Sequence, residues 1–179
     1  MKLSSRELWT ALHGMIFGAG FLLVFAGVFC ELWDLRSDWL TDEGTRHGAR
    51  RLIAGAWTMA ILAWLAVIVG TYAIYPWYRA KPPKGMTGAA LVAYPKALLL
   101  SNPQTADWHE FAMEWKEHIG WFAPMLATAV AFVVTRYRRQ LSQDPRVRRA
   151  VLFLFATAFC CAAVAGLIGA MINKFAPTR

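Results

Sequence analysis

Two histidines stand where apolar runs of membrane length begin. His13 opens the stretch Leu12-His-Gly-Met-Ile-Phe-Gly, and His118 opens His118-Ile-Gly-Trp-Phe-Ala-Pro-Met-Leu. An ionisable side chain at the edge of hydrocarbon is costly to keep, so each is a candidate functional residue by default. Two imidazoles at similar depth can grip one metal between them, and burial suits the neutral, ligating form. Taken singly, either could equally do no more than hydrogen-bond a backbone carbonyl or a lipid headgroup.

The elements that must position them follow from composition. Of 179 residues, 58% are apolar, and the mean hydropathy is +0.37. Four runs are long enough to cross a bilayer, which needs about 20 apolar residues. They cover roughly Leu12 to Trp33, Leu52 to Tyr75, Ile119 to Thr135 and Ala150 to Ile172. The fold class is therefore all-α: one integral-membrane domain over residues 1–179, a four-helix bundle with a long outer loop at 76–118 between helices two and three. Ser4-Ser-Arg-Glu7 has the pattern of a capping box and predicts the start of helix one. Helix three is expected to begin near Thr105 or Asp107 as an amphipathic lead-in, and Pro124 should kink it. The segment from Thr87 to Asn102 is expected to be structureless and to lie on the bilayer or on a partner.

The net charge of +8 does not point to nucleic acid, because Lys and Arg fall in the loops between spans. By side, ten lie with the two short loops and nine with the termini and the long loop. Six arginines crowd the final loop, Arg136 to Arg149, and short loops dominate orientation. This predicts both termini and the long loop outside, periplasmic in a bacterial inner membrane. The first run is too long for the core of a cleaved signal, so it is expected to stay. Cys30, Cys160 and Cys161 lie in apolar helices without redox or zinc spacing and read as small hydrophobes.

On that topology His13, His109 and His118 belong to the outer side and His47 to the inner. His109 lies nine residues before His118, off its face at about 100° per residue, and is expected in water or at the headgroups. The pair His13 and His118 remains. Gly20 and Gly27 follow His13 at seven-residue steps, and their missing side chains would leave room for a flat cofactor. Trp121, Phe122 and Met125 could wall the same pocket, while Arg79 and Lys116 would pair with acidic groups at its rim. Small residues at such spacings are also the ordinary means of close helix packing in membranes.

The span count and the histidine placement resemble the small four-helix, bis-histidine b-type cytochrome subunits of respiratory complexes. That resemblance implies one haem b, with His13 and His118 as its iron ligands and Gly20, Arg79, Lys116 and Trp121 around it. It also implies other membrane subunits and a periplasmic cytochrome as partners, with electrons relayed to or from a quinone pool. Lys116-Glu117-His118 and the rim of Trp9, Trp77, Trp115 and Trp121 would suit a quinone as a second ligand. The chain would be an electron-transfer subunit of an oxidoreductase complex rather than a whole enzyme. The alternative is a cofactor-free structural or assembly subunit. A transporter fits less well, since almost no charge lies at mid-membrane depth.

Overall fold

The computed structural model describes residues 4–35 and 42–177, without the side chains of residues 42–47 and 139, so the side assigned to His47 lies outside the described residues. Among the described residues there is no strand, and four helices are long and apolar enough to cross a membrane: Ser5–Trp33, Gly48–Tyr78, Pro103–Arg138 and Pro145–Phe175. The chain is an all-α four-helix membrane bundle. Each span packs on the next and the first touches the fourth, an up-down-up-down arrangement that brings both termini to one end.

The first span starts at the predicted capping box. Ser4 Oγ accepts from the Glu7 amide at 3.2 Å, and a Glu7 carboxylate oxygen accepts from the Ser4 amide at 2.8 Å. The third span begins earlier than expected, at Pro103, where Asn102 Oδ1 accepts from the Gln104 amide at 2.9 Å. The arginine-rich final loop is mostly helix: the third span runs on to Gln143 and the fourth starts at Pro145. Proline excludes helical geometry from the residue before it, and Asp144 is accordingly extended (φ −111°, ψ 105°). Pro124 is fully buried inside the third span, and the non-helical backbone geometry falls at Tyr137.

Small residues let the backbones approach. Ala56, Ala60 and Ala63 of the second span and Ala127 and Ala131 of the third are buried in one core with Phe21, Val28, Met59, Val130, Val134 and Phe155. Such residues allow the close contact that drives helix association in lipid. Phe25 stacks on Phe155 and Phe159 with ring centroids 4.7 and 4.2 Å apart. Two indoles tie the second span to the third, as Trp57 and Trp64 donate to Thr135 and Thr128 hydroxyls at 3.0 Å.

The segment after the second span is not structureless. It forms a 3-10 turn, Gly88–Ala93, and a short helix, Pro95–Leu100. Leu91, Pro95 and Leu99 are buried, and Leu99 joins Tyr78, Met113, Ile172 and Ala176 in a second apolar cluster. Leu98 and Leu99 of that apolar run therefore pack onto the terminal end of the bundle itself, while Leu100 is exposed.

Candidate functional site, a polar cluster under three widened turns

Three helices lose regular α geometry at the terminal end. Leu12–Ala19 of the first span, Gly70–Ile74 of the second and Trp108–Met113 of the third are π-helical. Each such turn holds one more residue than an α turn, and π segments concentrate at functional sites. The three carry His13, Gly70 and His109 respectively.

His13 points into the bundle. Its Nδ1–H donates to the Ala66 carbonyl at 2.8 Å, which leaves Nε2 uncommitted. Gly70 provides its seat, because a Cβ there would come within 2.8 Å of the imidazole Cε1. Lys116 arrives from the third span, close enough to His13 to act on it electrostatically. Its side chain lies along the fourth span, where a Cβ on Gly169 would stand 3.0 Å from Lys116 Cε. Two glycines on two helices thus make room for two basic side chains.

Glu117 and the tyrosines complete the cluster. The Tyr75 hydroxyl accepts from the Arg79 guanidinium at 3.0 Å, with Glu117 close enough to act on it electrostatically. Tyr78 stacks beside Tyr75, and its hydroxyl is hydrogen-bonded to His109 Nδ1 at 2.9 Å. His109 is buried rather than in water, which corrects the sequence expectation. The half turn that separates it from His118 at about 100° per residue puts it inside, because His118 itself faces outward.

His118 stands elsewhere. Two residues after Lys116 on an α-helix it faces about 200° away, and it is exposed. Its Nδ1–H donates to the Glu114 carbonyl at 2.7 Å, again leaving Nε2 open. Glu114, Trp115, His118, Ile119 and Phe122 line an open groove of about 340 Å³. The structure therefore does not bring His13 and His118 together, and a haem shared by them within one chain does not fit this arrangement. Among the described residues no group of three or more His, Cys, Asp or Glu could hold a metal.

The other expected site residues also find different neighbours. Gly20 is packing space, since a Cβ there would touch Leu62 at 3.4 Å, and Gly27 faces open space. Trp121 meets Trp64 edge-on at 6.1 Å, while Phe122 and Met125 are exposed. Arg79 holds Tyr75, and Lys116 turns inward. The three cysteines are free. Tyr75 and Tyr78 are site residues that the sequence does not single out, His109 is expected from it in water or at the headgroups, and Glu117 is picked out only as part of the Lys116-Glu117-His118 run. No protein-family model matches the chain, and neither characterised proteins nor solved structures give a match.

Proposed function

We propose that the chain is an electron-transfer subunit of a larger membrane assembly, and that its terminal end faces outward and receives a quinol-type carrier in the groove at His118. The observation that carries this reading is the groove itself. Aromatic and aliphatic walls from Trp115, Ile119 and Phe122 suit a flat ring arriving through lipid, and two proton acceptors line the same space, His118 and Glu114. Small-ligand sites combine such apolar walls with a few convergent polar groups. A quinol becomes a quinone by losing two electrons and two protons. His118 Nε2 would take one proton and the Glu114 carboxylate the other, while the electrons pass to one-electron acceptors on other subunits.

The test is the quinone content of the complex purified in mild detergent, with a dithionite-reduced minus oxidised spectrum of the same sample. Copurified quinone that drops several-fold in His118→Ala, with the complex intact, supports the reading. Equal or absent quinone in both overturns it. A haem b band lost in both His13→Ala and His118→Ala would restore a haem bound by that pair.

A second reading, a structural subunit, is favoured by one observation. Phe111, Trp115, His118, Phe122, Met125, Ala129 and Phe132 are all exposed and recur at alternating steps of four and three on the third span. The outward face of any packed helix has this period, and what marks this one is that four of the seven side chains are aromatic, Phe111, Trp115, Phe122 and Phe132, which would anchor a partner helix. A Met125→Cys variant that crosslinks to a neighbouring subunit, in a complex that carries no quinone, would favour this reading.

A further inference from the structure

The outward face of the fourth span changes from cationic to apolar within about one turn. Arg146, Arg149 and Phe153 follow one another at steps of three and four, so they share one side of the helix. All three are exposed, Phe153 at 71%. Cys160, Val164 and Leu167 continue the same exposed stripe toward the terminal end. Arg149 Nε donates to the Pro145 carbonyl at 3.3 Å, back toward the helix start, which leaves its two Nη nitrogens for another acceptor.

The break at Asp144 does not leave these arginines on a loose loop. Leu141 before it and Val151 after it are buried in the main core, and Ser142 is buried as well. Two other arginines hold the fold at this end. Arg148 donates to the Leu35 carbonyl at the end of the first span, and Arg51 pairs with Glu31. Arg50, Arg136, Arg138, Arg146 and Arg149 are exposed and have no carboxylate partner among the described residues. A positive field without internal counter-charge thus gathers where the spans leave the hydrocarbon.

We propose that Arg146 and Arg149 bind the phosphate of an anionic phospholipid, whose acyl chain lies along Phe153 and the stripe beneath it. Two chemistries meet on this face, and an amphiphile answers both. Guanidinium groups take phosphate oxygens through paired N–H donors. Phe153 stands about 6 Å deeper than Arg149, and arginine stems reach headgroup level from such a depth. A free phosphate would meet only the arginines, and a soluble polyanion would leave the apolar half uncovered. A zwitterionic lipid carries its own cation next to the phosphate, which the surrounding arginines would repel, whereas an anionic headgroup is attracted by all of them. The inference is independent of the quinol reading, because the groove at His118 lies about 27 Å from Arg136 along the third span.

The experiment uses the full chain in mild detergent, titrated with phosphatidylglycerol or phosphatidylcholine of the same acyl chains and read by native mass spectrometry. Wild type is expected to bind phosphatidylglycerol several-fold more tightly. Arg146→Gln/Arg149→Gln should lose that preference. Lys81→Gln/Lys84→Gln, which removes the same charge from exposed lysines at the terminal end, should keep it. Phe153→Ser should weaken phosphatidylglycerol binding with the charge unaltered. Equal binding of the two lipids by wild type overturns the inference. So does an equal loss in both double variants, because net charge alone would then explain it, and so does full binding in Phe153→Ser. Inorganic phosphate at the same concentration should not displace the lipid, and displacement would mean an anion site without a lipid. Thermal unfolding in lipid-free detergent checks that the variants are folded. Should the arginine variant fail there, Phe153→Ser and the two-lipid comparison on wild type decide.

Discussion

The two halves of this bundle are built from the same four helices and solve opposite problems. Away from the termini the described spans are α-helix apart from Tyr137 at the far end of the third, and alanines set between Phe, Met and Val side chains fill a dry core. At the terminal end three of the four turn π-helical and enclose His13, Lys116, Glu117, Tyr78 and His109. The first half gains stability from close backbone approach. The second spends some of it to hold ionisable groups away from water. The lesson is that a membrane helix can be structural over one stretch and chemical over the next, with the change marked by backbone geometry rather than by hydropathy.

The largest effect should come from breaking the dry half. Phe155 is fully buried and stacked on Phe25, so Phe155→Ala is expected to cost about 3–5 kcal/mol by leaving a cavity. Thermal unfolding of the purified chain would show it, and a midpoint near wild type would mean that this core is not what holds the spans together. Next is the seat of His13. Gly70→Ala forces its Cβ into the imidazole, with an expected loss of about 1–3 kcal/mol. In a His13→Ala background the same change should reverse sign and stabilise by up to about 1 kcal/mol, since alanine is the better helix former. If Gly70→Ala has the same effect in both backgrounds, Gly70 does not make room for His13. The smallest effect belongs to the surface pair of Arg51 and Glu31, joined at 2.6 Å with the arginine well exposed. Arg51→Ala should cost less than about 1 kcal/mol and lose even that at high salt.

The spans were readable because their signal is additive. Each apolar residue in Leu52 to Tyr75 or Ala150 to Ile172 votes the same way, and Ser4 with Glu7 marks a helix start by a local hydrogen-bond pattern. The cluster was not, because it depends on phase. The half turn between His109 and His118 holds, but facing His118 into the bundle sends His109 to the water. For His118, matched depth said nothing about direction around the helix, and Lys116 took the inward face instead. The glycines misled in a similar way. Gly20 and Gly27 share a face with His13 in sequence, but the space His13 uses is made by Gly70 on another helix. Contacts between helices are not written into the spacing within one.

The widened turns make residue count a functional variable. Deleting one residue from Trp108–Met113 would let that stretch close to an ordinary α turn while the helix before it kept close to its present facing, because the π turn already absorbs one extra residue. His109 sits inside the widened stretch, so its hold on Tyr78 depends on which residue is removed. A further insertion there has no such slack and would turn everything before it, the helix Pro95–Leu100 included, by about 100°. This part of the chain should therefore tolerate a deletion better than an insertion.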